Sequence, residues 1–138
     1  MHDTIISVMT KDLVTCPPTA SVRDAAKKMH EHNIGDVLVV DGEKLVGIVT
    51  DRDLVVRTLA VDLGAETPIA EVMSTDVCTV NESCTTGDAA RLMADKAIRR
   101  VPVVDGERPI GIVSLGDLAE TKAPETVLGE ISDARPNN

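Results

Sequence analysis

Aromatic residues are missing from this chain: its 138 residues include no Phe, Trp or Tyr. This absence excludes stacking platforms for nucleic-acid bases and aromatic cages for organic cations. Basic residues are also scarce, since 14 Lys and Arg stand against 23 Asp and Glu and give a formal net charge of −9. A surface this acidic repels a phosphate backbone. The composition therefore argues against nucleic acid as a partner.

Long apolar runs and cysteine pairs are absent from the sequence as well. No stretch approaches the roughly 18 apolar residues that a membrane span needs, and the first residues lack a basic segment followed by an apolar one. We therefore expect a cytoplasmic protein with no membrane partner. Cys16, Cys78 and Cys84 form no C-x-x-C pair and are odd in number, which fits neither a zinc finger nor a complete disulfide framework.

Sequence patterns of catalytic residues are missing too. No nucleophile stands beside a base, no pair of catalytic carboxylates is evident, and the sequence has no phosphate loop of the G-x-x-x-x-G-K type. His30, Glu31 and His32 lack the spacing of a metal-binding helix, because residues two apart do not share a helix face. We predict no enzymatic activity, no catalytic cofactor and no metal site.

An internal repeat organises what is present. Shifting the sequence by 64 residues aligns residues 8–54 with residues 72–118 without a gap, and 20 of the 47 pairs are identical. Average composition would give roughly 3 identities. The most similar stretch reads VLVVDGEKLVGIVTDRDL in the first repeat and VPVVDGERPIGIVSLGDL in the second. Because one repeat is too small to bury a stable core alone, we expect the two to pack about a pseudo-two-fold axis.

Each repeat predicts the same order of elements: strand, helix, strand, strand, helix. A short strand (residues 14–16 and 78–80) precedes a helix whose apolar residues recur at helical spacing in the first repeat. Asp-Gly dipeptides between apolar runs indicate a tight hairpin in each repeat. The second helix is expected to begin after Thr50 in the first repeat and after Ser114 in the second.

Capping signals mark the ends of the first helix in each repeat. Ser21 with Asp24, and Thr85 with Asp88, have the spacing of a capping box at the helix start. Asn33 tolerates the left-handed conformation in which helices often end. These signals predict helices that begin near residues 22 and 86.

The segments GIVTDRDL and GIVSLGDL, with the hairpins and first strands before them, resemble the tandem CBS motif, named for cystathionine β-synthase. The resemblance covers nearly the whole chain and implies an α+β fold in which two β-α-β-β-α motifs form one Bateman module. We place motif 1 at residues 1–62, a linker at 63–71, motif 2 at 72–123 and a polar C-terminal tail at 124–138. The resemblance also implies a homodimer, and an effector protein that the sequence does not identify.

The resemblance implies a regulatory sensor that holds adenosine compounds in clefts between the two motifs. The resemblance implies that a Ser or Thr and the Asp three residues later touch phosphate and ribose, here Thr50 with Asp53 and Ser114 with Asp117. The residue types suit this role, because a carboxylate can accept hydrogen bonds from both hydroxyls of a ribose diol. The same spacing is that of a helix capping box, so both interpretations stay open.

Two glycines favour the ligand interpretation. Gly47 and Gly111 stand inside apolar strands, where a side chain would pack better. Such glycines indicate either a close approach to the backbone, as by a ligand, or a β-bulge.

The two clefts are expected to differ in charge. Arg99 and Arg100 precede the second hairpin, and the aligned residues of the first repeat are Gly35 and Asp36. The resemblance implies that basic residues at this place reach the phosphates of a nucleotide held by the other motif. One cleft would combine Thr50, Asp53, Thr79, Val80, Arg99 and Arg100, and the other would combine Ser114, Asp117, Thr15 and Cys16 with Gly35 and Asp36. We expect the first cleft to prefer phosphate. Alternatively, the arginines are a solvated pair at a helix end.

Three functions are compatible with these features. The first is a regulatory module that binds an adenosine nucleotide (AMP, ADP or ATP) or a related adenosyl compound such as S-adenosylmethionine or NAD. The second is a ligand-free module for homodimerisation and protein interaction. The third is a redox or metal sensor that uses Cys16, as an exposed thiol beside a cleft, or another cysteine, although core packing explains the cysteines more simply.

Overall fold

The computed structural model describes residues 4–121, so the expected tail at residues 124–138 lies outside the described residues. The first five elements are β1 (Thr15–Cys16), α1 (Val22–His32), β2 (Asp36–Asp41), β3 (Lys44–Thr50) and α2 (Asp51–Arg57). The second five are β4 (Val80–Asn81), α3 (Thr86–Lys96), β5 (Arg100–Asp105), β6 (Arg108–Ser114) and α4 (Leu115–Thr121). The predicted order of elements is confirmed in both repeats.

The capping signals fix the ends of α1 as the sequence predicts. Ser21 Oγ accepts a hydrogen bond from the backbone N–H of Asp24, and the backbone N–H of Ser21 donates to Asp24 Oδ2, both at 3.1 Å. The helix ends at Asn33, whose φ of 54° is left-handed. At the equivalent end of α3 the left-handed residue is Ala97, with φ 55°.

Each repeat contributes one three-stranded sheet. β1 pairs in parallel with β2 and β2 antiparallel with β3, and β4, β5 and β6 repeat this arrangement. The hairpin turns begin at Gly42 and Gly106, whose φ values of 66° and 67° favour glycine. A register shift interrupts both hairpins, between Val39 and Val40 and between Val103 and Val104. This shift is a β-bulge, which bends the hairpin locally.

The elements form two compact units whose limits do not coincide with the ends of the repeats. The first unit is Val14–Val77 and therefore contains β1 to β3, α1 and α2. The second unit joins residues 4–13 to residues 78–121, with β4 to β6, α3 and α4. Residues 4–13 precede the first repeat's strands in the sequence, yet they pack within the unit built by the second repeat.

Backbone hydrogen bonds explain this exchange of segments. The backbone N–H of Thr10 donates to the carbonyl of Ile112 in β6 (2.8 Å), and the carbonyl of Thr10 accepts from the backbone N–H of Ile112 (2.9 Å). In the first unit, Ser74 and Ile48 of β3 make the same two bonds, at 2.8 and 2.9 Å. We call residues 5–10 and 69–74 the exchanged segments. Each repeat thus donates its opening segment to the sheet edge of the other repeat.

Each unit has its own hydrophobic core. The core of the first unit contains Cys16, Val22, Ala25, Met29, Val37, Val39, Val49, Leu54, Ile69 and Val72. The core of the second unit contains Ile5, Ala89, Ala90, Met93, Val101, Val103, Val113 and Leu118. The exchanged segments enter both cores, since Ile5 and Ile69 are completely buried. Within residues 4–121, no helix has the length and apolar character needed to cross a membrane.

Candidate functional site

The candidate site of the first unit lies where β3 ends and α2 begins. Thr50 Oγ1 accepts a hydrogen bond from the backbone N–H of Asp53 (3.1 Å), and the backbone N–H of Thr50 donates to Asp53 Oδ2 (2.9 Å). This reciprocal pair is a capping box, so the capping interpretation is confirmed as the local geometry. The Asp53 side chain is 15% exposed, and its Oδ1 lies 3.7 Å from Arg57 Nε. The second carboxylate oxygen therefore lies beside a guanidinium.

The second unit repeats this junction where β6 meets α4. Ser114 Oγ accepts from the backbone N–H of Asp117 and the Ser114 amide donates to Asp117 Oδ2, both at 3.1 Å. The residue that occupies the place of Arg57 in the second repeat is Thr121, which has no charge. The two junctions thus share the same cap and differ in the residue one turn later.

Capping leaves both side chains able to bind a ligand. The Thr50 hydroxyl accepts one bond from the backbone and keeps its own proton to donate. The Asp53 carboxylate has about four acceptor positions, and the cap uses one of them. The cap also holds the hydroxyl and the carboxylate in one fixed arrangement. Less side-chain entropy is therefore lost when a molecule binds to them.

The cross-strand neighbours of the two junctions carry opposite charges. Asp36 is the cross-strand neighbour of Thr50, whereas Arg100 is the cross-strand neighbour of Ser114. The residue before each of these neighbours makes the same backbone hydrogen bond. Gly35 O accepts from the N–H of the residue after Thr50 (2.9 Å), and Arg99 O accepts from the N–H of the residue after Ser114 (3.0 Å). Across the strand, the first junction therefore has a carboxylate as its neighbour and the second junction has a guanidinium.

An aspartate occupies the space beside Gly35. A Cβ at this glycine would lie 3.1 Å from Asp51 Oδ2, which is tighter than ordinary contact. In the first repeat, Gly35 thus leaves room for the Asp51 carboxylate. In the second repeat, Arg99 takes the place of the glycine and Leu115 takes the place of the carboxylate.

The remaining predicted residues lie on the first strand of each unit. Thr15 and Cys16 form β1, Val80 begins β4, and Thr79 comes directly before it. Cys16 is only 3% exposed, and this burial raises the pKa of its thiol. Core packing, the simpler interpretation of Cys16 in the sequence, is therefore confirmed, and the alternative of an exposed thiol is contradicted. Within the described part of the chain, no three His, Cys, Asp or Glu side chains are grouped so that they could hold a metal ion.

The structure distributes the predicted site residues over both units. Thr15, Cys16, Thr50 and Asp53 lie in the first unit, with Gly35 and Asp36, and Thr79, Val80, Arg99, Arg100, Ser114 and Asp117 lie in the second. The combination of residues from both repeats in one cleft stays a prediction.

The strand glycines are explained by the protein's own chain. A Cβ on Gly47 would lie 2.5 Å from Met73 Sδ and 3.0 Å from the backbone oxygen of Ser74. A Cβ on Gly111 would likewise overlap Met9 Sδ. The exchanged segments therefore occupy the space that a side chain would need. The use of these glycines as an argument for a ligand was wrong, although the expected close approach exists.

Sequence reasoning missed Arg57. Its Nη1 donates to the carbonyl of Val72 (3.0 Å), and its Nε faces Asp53. Arg57 thereby connects the candidate carboxylate to the exchanged segment of residues 69–74. The spacing of four residues from Asp53 is a helical ion-pair signal that could have identified it.

Comparison with known proteins agrees with the repeat and the fold. The family model described as CBS domain matches twice, at residues 5–58 and 69–123. The CBS domain-containing protein YhcV of Bacillus subtilis is 43% identical over 111 residues, which cover 80% of this chain and 79% of YhcV. The crystal structure of CBSX2 in complex with AMP has a TM-score of 0.76 and 30% identity, over 86% of this chain and 94% of CBSX2.

A further solved structure contains other adenosyl compounds. It is the CBS domain pair of protein MJ0100 in complex with 5′-methylthioadenosine and S-adenosyl-L-methionine. The TM-score is 0.75 and the identity 32%, over 87% of this chain and 95% of that one. With two matching family segments, a closely related CBS protein and this structural similarity, the chain belongs to the CBS-domain family and contains two CBS domains in tandem.

Proposed function

We propose that this protein is a regulatory module that binds an adenosine nucleotide, AMP, ADP or ATP, between its two CBS motifs. The observation that carries the proposal is the preorganised hydroxyl–carboxylate pair that each repeat builds between a strand and a helix. Thr50 and Ser114 supply hydroxyl donors for phosphate, and Asp53 and Asp117 supply acceptors for the ribose diol. The AMP bound to CBSX2 supports this choice of ligand.

The sign of the neighbouring charges makes one cleft the better phosphate site. Arg100 is the cross-strand neighbour of Ser114 within its own unit. In the proposed complex we place Arg99 and Arg100 in the cleft opposite Thr50 and Asp53, where they reach the phosphates from the other motif, with Thr79 and Val80 beside the base. A unit charge at about 5 Å contributes roughly 3 kcal/mol at an effective dielectric constant near 20, before screening by solvent. The other cleft, with Ser114, Asp117, Thr15 and Cys16, has Asp36 where this cleft has Arg100. It therefore accepts an adenosyl compound without phosphates, such as S-adenosylmethionine, more readily than a nucleotide.

The module carries out no reaction in this proposal. It functions in the cytoplasm as a homodimer, and the ligand changes the geometry of the dimer or its affinity for an effector protein. A purine lies between aliphatic side chains in place of aromatic ones, because the chain has no Phe, Trp or Tyr.

Isothermal titration calorimetry with AMP, ADP, ATP, S-adenosylmethionine and NAD tests the proposal. Asp53→Asn keeps an acceptor oxygen for the cap and removes the negative charge that holds the ribose, so nucleotide affinity is expected to fall roughly tenfold or more. Asp24→Asn is the matched control, because Asp24 makes the same capping box at α1 and lies outside the proposed site. Asp117→Asn is expected to leave nucleotide affinity unchanged.

Two results would contradict the proposal. The first is the absence of heat with every compound of the panel. The second is an equal loss of affinity in Asp53→Asn and Asp24→Asn, which would assign the effect to helix capping and not to ligand contact.

An exposed apolar surface favours interaction with a second protein as the alternative function. Val55, Val56, Leu59, Val61 and Leu63 lie on α2 and the residues after it, and they are 41% to 72% exposed. Such a surface is typical of an interaction site. Under this alternative the protein is a ligand-free dimer, and Leu59→Glu would dissociate it in sedimentation experiments. Dimers that persist unchanged in Leu59→Glu would exclude this surface as the interface.

A further inference from the structure

Two methionines occupy equivalent places on the exchanged segments. Met73 Sδ lies 2.5 Å from the position of a Cβ on Gly47, and Met9 Sδ likewise overlaps the position of a Cβ on Gly111. Each sulfur therefore fills the space that a side chain on the strand would need. Both side chains are half-buried and pack against the core of their unit.

The other described methionines have different environments. Met29 is 8% exposed and Met93 is 1% exposed, and both belong to the hydrophobic cores. The Met9 and Met73 side chains are partly exposed, so an oxidant in the solvent reaches them with less local opening than it needs for a core methionine. The fold thus separates two partly exposed methionines, both on the exchanged segments, from two buried ones.

We propose that Met9 and Met73 are sulfoxidation sites, and that their oxidation by hydrogen peroxide loosens the exchanged segments. In this reaction one peroxide oxygen is transferred to the thioether sulfur: the S–O bond forms as the O–O bond breaks. Sulfur loses two electrons, and the other oxygen leaves as water. The product is a polar, chiral sulfoxide in place of a flexible apolar thioether.

The place of the sulfur explains why oxidation loosens the segment. The glycine Cα lies directly beneath the sulfur, so the added oxygen has no room on that side. Both side chains also pack against the hydrophobic core of their unit, and a polar sulfoxide raises the free energy there unless it is hydrogen-bonded. The two backbone hydrogen bonds between Ser74 and Ile48 are adjacent to Met73 and weaken when the segment shifts.

At Met73 the effect reaches the candidate site. Val72 precedes Met73, and its carbonyl accepts the hydrogen bond from Arg57 Nη1, while Arg57 Nε faces Asp53. A shift of residues 69–74 therefore moves the guanidinium that lies beside the carboxylate. In the sequence of the second repeat the place of Arg57 is taken by Thr121, so this inference is confined to Met73 and Asp53. This part of the inference rests on the proposed function.

Peptide mapping by mass spectrometry after timed exposure of the full chain to hydrogen peroxide tests the modification itself. Met9 and Met73 are expected to gain oxygen roughly tenfold faster than Met29 and Met93. Fragment ions distinguish Met9 from Met1, which share one tryptic peptide. Equal rates at all four methionines would overturn the proposal.

Hydrogen exchange tests the structural consequence. In the oxidised protein, the amides of Ser74 and Ile48 are expected to exchange about tenfold faster than in the reduced protein. Met73→Leu keeps the apolar contact and removes the sulfur, so peroxide should not change exchange at these two amides. Met29→Leu is the matched control, and it should retain the response. Unchanged exchange after complete oxidation of Met73 would refute the loosening.

Ligand binding is measured separately, so that the two proposals can fail independently. If AMP binds the reduced protein, oxidation is expected to weaken it, and Met73→Leu should abolish that effect. Oxidation that accelerates exchange at Ser74 without changing AMP affinity would refute the route through Arg57. If no adenosine compound binds at all, the proposed function fails, while mapping and hydrogen exchange still decide on the modification.

Discussion

Replacing Thr86 by Val is expected to stabilise the protein. Thr86 is the first residue of α3 and is completely buried, and its Oγ1 has no hydrogen-bond partner among residues 4–121. A buried hydroxyl without a partner costs about 1–3 kcal/mol. The first repeat has Val22 at the equivalent place, where it belongs to the core. Because Val and Thr have nearly the same shape, Thr86→Val removes this cost without leaving a cavity.

We expect Thr86→Val to raise the free energy of unfolding by about 1–2 kcal/mol. Urea denaturation followed by circular dichroism measures this change, and an unchanged m-value would show that the denatured state is the same. Thr86→Ser serves as the control, because it keeps the hydroxyl and deletes a buried methyl group, which costs about 1 kcal/mol. A Thr86→Val protein less stable than the wild type would refute the reasoning.

Three further changes test other parts of the fold. Gly47→Ala should destabilise the protein by about 1–3 kcal/mol, because its Cβ would crowd both Met73 and the backbone oxygen of Ser74, and a chemical denaturation curve measures this loss. Ala97→Gly should stabilise it by about 0.5–1 kcal/mol, because glycine adopts the left-handed conformation of this position without steric strain. Ala94→Gly inside α3 should have the opposite effect in the same assay. The hydrogen bonds from Ser21 hold the pKa of Asp24 below its ordinary value. The contribution of the Asp24 carboxylate to stability is therefore complete above about pH 4 and is lost as the pH falls through the lowered pKa. Melting temperatures of the wild type and Asp24→Asn should accordingly converge at acidic pH.

Local signals in the sequence were sufficient to predict the elements. The Asp-Gly dipeptides mark the two hairpins, and Ser21, Asn33 and Thr50 mark helix ends, because these residues act on backbone groups a few positions away. The repeat strengthens the prediction, since the Asp-Gly dipeptides and the helix-start signals occur in both copies. Boundaries differed by a residue or two; for example, the second repeat's first strand was expected at residues 78–80 and is Val80–Asn81.

The exchange of segments could not be predicted from local signals. The contact between Thr10 and Ile112 joins residues that are distant in sequence, and nothing near Thr10 identifies its partner. For the same reason, the approach to Gly47 and Gly111 was expected from a ligand and comes from Met73 and Met9.

The candidate site shows the same division between local and distant information. The hydroxyl–carboxylate spacing at Thr50 and Asp53 was visible in the sequence, and the sequence alone did not decide between a cap and a ligand contact. The structure establishes the cap. The neighbours that give each junction its charge, Asp36 and Arg100, depend on strand register, which only the folded hairpin provides.

The exchanged segments also determine how the molecule can be assembled and divided. Neither repeat, cut at its own ends, has the strand-edge segment that its sheet needs, so an expressed single repeat would leave β3 or β6 open to pairing with other chains. During synthesis the first unit is complete as soon as residue 77 has left the ribosome, whereas residues 4–10 wait until β6 has been made. Gene fusions and truncations of this protein should therefore keep the residues before β1 together with the C-terminal half.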